Sequence, residues 1–142
     1  MAKRKKHILA FEDEPDYDMI GICSHHSDYR LAWNINSTLN LHLKKIESYL
    51  VSNKSGSLTT EHSMYEFFDP ENRLTYFMIK NKHEGQFLIP EKPAIDYFLF
   101  LCDNCAVEVD KLMLKLKSTS SVLGLYQFFP EEITSAQNLI LT

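Results

Sequence analysis

Cys102-Asp-Asn-Cys105 sets two thiols two residues apart, where the apolar run YFLFLC gives way to a helix-like pattern. That spacing suits a redox dithiol, whose thiolate a helix N-terminus would favour, or half of a tetrahedral zinc site. Asp103 and Asn104 are helix-capping residue types, which strengthens the redox reading. A thioredoxin-like arrangement also needs a proline facing the dithiol, and Pro130 is the one candidate. The remaining zinc ligands would come from Cys23, His25 and His26, which close an earlier strand-like run. A second C-x-x-C or an H-x-x-x-H spacing is missing. Packing offers a simpler account. Cys105, Val109, Leu112 and Leu116 step by four, three and four, the stripe of a core-facing helix. Cys102 continues the Phe98–Phe100 face of a strand, and free cysteine behaves as a small buried hydrophobe. Both cysteines are therefore expected in the core, with a metal or redox set of Cys23, His25, His26, Cys102 and Cys105 as the alternative.

Two other groupings contain reactive residue types. Ser24-His25-His26-Ser27-Asp28 holds a nucleophile, bases and an acid in one pentapeptide. Triads are assembled from distant parts of a fold, and no nucleophile-elbow glycines flank Ser24. Helix capping accounts for Ser27 and Asp28, so no catalytic residue is expected here. Glu91 and Asp96 flank a turn containing Pro93, which on one reading brings them together as paired carboxylates for acid–base or metal chemistry. A polar connection between two strands is the competing reading. Trp33 and the tyrosines read as core and rim. The chain carries no P-loop, dinucleotide fingerprint or RNP-type aromatic motif. No cofactor is expected, and the balance leans away from an enzyme.

The elements that must position these residues follow from periodicity. YDMIGICS (17–24) reads as a strand, and Ser27 and Asp28 cap a helix over YRLAWNINSTLN, with Leu31, Ile35 and Leu39 on one face and Asn40 at its end. A strand is expected from Leu41 to about Tyr49, then a loop at SNKSGS. TTEHSMYEFF and RLTYFMIKN flank Asp69-Pro70-Glu71-Asn72, whose first two residues suit a type I turn. A turn at Lys82–Gly85 leads into a strand QFLI that Pro90 halts. YFLFLC is apolar on both alternating faces and reads as a central strand covered on both sides. A helix from about Asn104 to Ser118, a strand Val122–Phe129, and a turn with a short final strand complete the chain. The fold class is α+β: two helices packed on a mostly antiparallel sheet of about five to seven strands, split-βαβ-like.

Composition limits the function. The 142 residues read as a single domain with 44% hydrophobic and 24% charged residues, ordinary for a globular protein. No stretch is long and apolar enough for a membrane span, and Ile8–Phe11 is too short for a signal-peptide core. Three cysteines, an odd count, fit a reducing compartment, so a cytoplasmic location is expected. The net charge of -4 contains a local contrast: Lys3, Arg4, Lys5 and Lys6 precede five acids, Glu12, Asp13, Glu14, Asp16 and Asp18. A one-signed basic surface is missing, so residues 1–6 are expected to be a flexible, solvated terminus.

Ile89-Pro90-Glu91-Lys-Pro-Ala-Ile-Asp96-Tyr97 resembles the signature of the bacterial IPExxxDY family, with four residues rather than three between Glu91 and Asp96. MIGICSHHSDYRLAWNIN, LTYFMIKNKHEGQFLIPE, DYFLFL and the terminal NLIL extend the resemblance over nearly the whole chain. It implies no activity, cofactor or site residue. The expectation is a non-enzymatic protein-interaction or adaptor domain, self-associating or with a protein partner, through Pro90, Glu91, Asp96 and Tyr97 and a bare sheet edge. The alternative is RNA or ribosome association through Lys3, Arg4, Lys5 and Lys6. That alternative predicts RNA binding that weakens steeply with salt and disappears on deletion of residues 1–6; filter binding unchanged by the deletion contradicts it.

Overall fold

YDMIGIC forms the strand β1 (Tyr17–Cys23), whose side chains alternate between two covered faces. The computed structural model describes residues 16–52 and 59–141. Ser27 then opens α1 (Asp28–Leu39), its hydroxyl accepting the Arg30 N–H at 3.3 Å, and Asn40 ends the helix in the left-handed conformation at φ 60°. The Asn36 side chain folds over the exit, accepting the Leu43 N–H at 2.8 Å and donating to the Leu43 carbonyl at 3.2 Å. That bracket holds Leu41 and Leu43 in the core as non-strand residues. The next strand, β2 (Lys44–Ser52), therefore starts later than the expected Leu41.

Hairpin-forming β3 (Thr59–Asp69) and β4 (Leu74–Lys80) are joined where the Asp69 carboxylate accepts the Glu71 and Asn72 N–H groups at 3.0 and 3.2 Å. Most of the expected SNKSGS loop, residues 53–57, lies outside the described residues. The Lys82–Gly85 turn makes a miniature hairpin of β5 (Lys82–His83) and β6 (Gln86–Phe87), with Glu84 and Gly85 at φ 47° and 80°. Only the first half of QFLI is strand; Leu88 and Ile89 leave it to become buried. After β7 (Tyr97–Cys102), the second helix α2 runs Val109–Lys117, beginning well past the expected Asn104. β8 (Gly124–Phe128) follows, then a 3-10 turn (Pro130–Glu132) and the four-residue α3 (Thr134–Gln137) where a final strand was expected.

Six strands form one antiparallel sheet in the order β2-β3-β4-β7-β1-β8. β7 is central and wholly buried, as its two-faced apolarity requires. β7 and β8 both run antiparallel to β1, which lies between them, so β7–α2–β8 is a split βαβ unit. The α+β class and the mostly antiparallel sheet match the expectation from sequence.

The sheet separates two apolar layers. On one face Ile20, Ile22, Tyr97, Leu99 and Leu101 pack beneath Leu31 and Ile35 of α1 and Leu112 and Leu116 of α2. On the other, Met19, Phe77, Ile79, Phe98, Phe100 and Cys102 meet no long helix among the described residues; Leu88, Ile89 and Ile95, with Ile133 and Ala136 of the tail, close over them. An irregular cover of this kind requires its backbone polar groups to be satisfied one by one.

Asn81 supplies much of that satisfaction. It is fully buried; its side-chain carbonyl accepts the Ile89 N–H at 2.8 Å, and its amide donates to the carbonyls of Lys92 at 3.0 Å and Ile95 at 2.8 Å. Its backbone N–H donates to the Asp96 carbonyl at 2.9 Å, and its carbonyl accepts the Leu88 N–H at 2.8 Å. Just before it, the Lys80 carbonyl lies 3.0 Å from Nδ1 of buried His62, so Nδ1 carries the proton and Nε2 can accept from the Thr60 hydroxyl, also at 3.0 Å. Burial pushes the His62 pKa down, in keeping with this neutral form. The C-terminal tail is braced separately: Tyr17 donates to the Ala136 carbonyl at 2.6 Å, Tyr49 Oη accepts the Ile140 N–H, and Glu91 accepts the Ser135 N–H.

Replacing Asn81 by Ala leaves the Ile89 N–H and the Lys92 and Ile95 carbonyls without their partner. The expected loss is about 3 kcal/mol of folding stability in a denaturant titration. A loss below about 1 kcal/mol would mean that the cover is held by its apolar contacts alone.

Candidate functional site

The five candidate metal ligands fall at two ends of one strand pair. In the antiparallel β1–β7 pair, Cys102 lies opposite Tyr17, at the far end of β1 from Cys23. Six residues of strand separate the two ends, about 20 Å at the usual rise. Cys23, His25 and His26 therefore do not meet Cys102 and Cys105, and no cluster of three metal-ligating side chains occurs among the described residues. Cys102 is buried as expected, and burial, then the neighbouring Asp103 charge, raises its pKa to about 12. Cys23 is partly buried with its Sγ 3.6 Å from the Ala94 carbonyl, and burial followed by the charge of Asp96 raises its pKa.

Cys105 departs from the expectation: it is exposed, in the loop before α2. Asn104 is the cause. Its side chain accepts the Val107 N–H at 2.9 Å, donates to the Val107 carbonyl at 2.9 Å and reaches Asp18 at 2.8 Å. This local ring competes with helix formation, so the apolar stripe begins at Val109 and excludes Cys105. Asp103 contributes a left-handed turn at φ 63°, and the position preceding α2 is Glu108 rather than either expected cap.

The histidine-rich pentapeptide assembles no triad. Ser24 is buried with its hydroxyl accepting the His26 N–H at 3.1 Å, while His25 and His26 are exposed. Asp28 turns to Tyr65 at 3.3 Å and Lys45 at 3.6 Å. Burial would raise the Asp28 pKa, but hydrogen bonds from Ser63, Tyr29 and Tyr65 and the Lys45 charge outweigh it and hold the carboxyl below its ordinary value.

Glu91 and Asp96 are committed to different partners. Glu91 accepts the Ser135 N–H at 3.1 Å, and its hydrogen bonds outweigh the upward push of burial and lower its pKa. Asp96 accepts the Ser24 N–H at 2.9 Å and lies 3.8 Å from the Lys82 ammonium. Tyr97 is buried and donates to the His26 carbonyl at 2.7 Å; its burial, and then the charges of Asp28 and Asp96, raise its pKa. Pro90 is exposed at the start of the cover. The segment Ile89–Asp96 thus covers the sheet, and Tyr97 belongs to β7 itself. Lys3, Arg4, Lys5 and Lys6 lie outside the described residues.

Among the described residues, this arrangement leaves β8 as an edge without a second strand partner. Among the described residues β8 pairs only with β1, from Met19↔Phe128 to Cys23↔Gly124, and Leu123 extends the ladder by donating to the Cys23 carbonyl at 2.8 Å. Gly21 makes the junction possible: a Cβ there would stand 2.6 Å from the Phe128 ring. Phe128 packs edge-on against Phe98 at 6.2 Å and carries the Lys92 ammonium 4.9 Å above its ring, joining the cover to the edge strand. Tyr126 stacks at a tilt beside Phe128 yet stays 52% exposed, and Leu123 and Phe129 at either end are 62% and 37% exposed.

The two sheet edges are built differently. β2 carries Lys44, Lys45 and Glu47 and a register shift between Ile46 and Tyr49, devices that discourage edge pairing. From Val122 to Phe129 the chain VLGLYQFF has no charge and no proline. Sequence alone implies a bare edge without locating it, and it gives no sign of Asn81, whose partners lie up to 15 residues downstream. The uncharged composition of VLGLYQFF was the available signal for the edge.

No helix among the described residues is long and apolar enough to cross a membrane. Among known proteins, no family model and no curated protein matches the chain.

The cysteine environments predict selective labelling. A thiol reagent should modify exposed Cys105 quickly in the folded protein and reach Cys102 only after denaturation, as read by mass spectrometry of digests. Equal native labelling of the two would contradict the burial of Cys102.

Proposed function

We propose that this chain is a cytoplasmic, non-enzymatic protein-interaction domain of the IPExxxDY type, and that it binds by adding an extended strand to β8. The observation that carries this reading is the contrast between the edges: β2 is guarded by charge and a bulge, while β8 is uncharged, with Tyr126 exposed at its centre and Leu123 and Phe129 exposed just beyond its ends. An unpaired strand edge presents N–H and C=O groups to any extended chain that docks beside it, and apolar side chains along it gain from leaving water. A long-lived bare edge is otherwise an aggregation hazard, so its retention without charge favours use. The non-enzymatic part rests on the commitment of Ser24, Glu91, Asp96 and Tyr97 to structural hydrogen bonds.

Tyr126→Lys tests the reading, because it places a solvated charge on the exposed strand centre without touching the buried core. Crosslinking in cell extract should yield an adduct through β8 with wild type, and Tyr126→Lys should lose it while keeping its thermal midpoint. Identical crosslinking of the two proteins would contradict strand addition at this edge.

A further inference from the structure

We infer that the strand added to β8 is the β8 of a second copy, paired antiparallel about a twofold axis at Tyr126. The inference rests on the strand-addition reading above and names its partner.

Antiparallel pairing of two identical strands is isologous, so every residue that faces a partner is faced by its counterpart in return. Tyr126 is the midpoint of the run Leu123–Phe129. With the axis there, Leu125 faces Gln127, Gly124 faces Phe128 and Leu123 faces Phe129. No position in this register opposes two like charges, the usual penalty of self-pairing. Gly124, without a side chain, stands opposite Phe128 in this register and adds no side chain of its own to the seam. The two exposed ends, Leu123 and Phe129, become neighbours across the interface and shield each other from water. The chain then turns away at the 3-10 segment Pro130–Glu132, so Glu131 and Glu132 end the pairing rather than lie within it. At β2 the same operation would bring two copies of a strand bearing Lys44, Lys45 and Glu47 together across a bulge. An uncharged, self-complementary register thus exists at the β8 edge, whereas the β2 edge is charged and bulged.

The axis position makes a charge-swap experiment decisive, because residue 126 of each copy faces residue 126 of the other. Sedimentation equilibrium of the full chain over a concentration series should show wild type rising from 16.6 kDa toward twice that mass. Tyr126→Lys alone and Tyr126→Glu alone should each remain at the monomer mass, with unchanged circular dichroism. An equimolar mixture of the two should recover the dimer, since unlike charges then meet at the axis. Leu123→Lys, at an exposed position ahead of the strand, should also weaken the dimer and serves if a residue-126 variant folds poorly. A wild type that stays monomeric at every concentration overturns the inference, as does a dimer that all these substitutions leave intact. A monomeric wild type whose crosslink to a different protein is lost in Tyr126→Lys overturns the second copy alone and leaves strand addition standing.

Discussion

A buried primary amide must find partners for one carbonyl and two N–H groups, and Asn81 finds all of them on the chain that follows it. The rest of the second sheet face depends on that solution. Helices α1 and α2 satisfy their own backbones and can cover the first face with side chains alone. The segment from Leu88 to Asp96 has no such regularity, yet it puts Ile89 and Ile95 against Phe98 and Phe100. Asn81 acts as a surrogate strand partner: its backbone pairs with Leu88 and Asp96 while its side chain holds Ile89, Lys92 and Ile95. Losing any of these leaves a polar group in an apolar layer, which costs more than the bond itself contributes.

Once the cover is fixed, the edge follows. Lys92 is set over Phe128, Ile95 crowds the Gly21 position, and Asp96 holds the Ser24 N–H just beyond β1. Those contacts position β1 and the cover-facing side of β8 together, and among the described residues no strand pairs with the outer side of β8. The conserved chemistry of a hydrolase or a metal centre would need convergent side chains. Here Ser24, Glu91, Asp96 and Tyr97 are each tied to a backbone group, and the outer backbone of β8 has no strand partner among the described residues.

Local patterns in the sequence were sufficient where an element is decided locally. β1, α1 with its Ser27 and Asn40 ends, the Asp69 turn and the doubly covered β7 all follow from periodicity and turn chemistry. The misses share a physical cause. Asn36 and Asn104 each close a side-chain ring onto nearby backbone, delaying β2 and α2 beyond where apolar spacing would begin them. Cys105 was misplaced for that reason alone. Asn81 was illegible because its partners are set by the tertiary path of the cover, and an asparagine in KNKHEG looks like any other turn residue. The pairing partners of β1 were equally hidden: only the sheet order reveals that Cys23 and Cys102 occupy opposite ends.

The central claim is that Asn81 joins the cover to the sheet as one cooperative unit. Native-state hydrogen exchange at the Ile89 N–H, the donor to the Asn81 side-chain carbonyl, reads that claim directly. The account predicts that Ile89 exchanges only with global unfolding, at the same opening free energy as the β7 amide of Leu99. Exchange of Ile89 at the rate of exposed loops, with Leu99 still protected, would show a cover that opens by itself and would contradict the account.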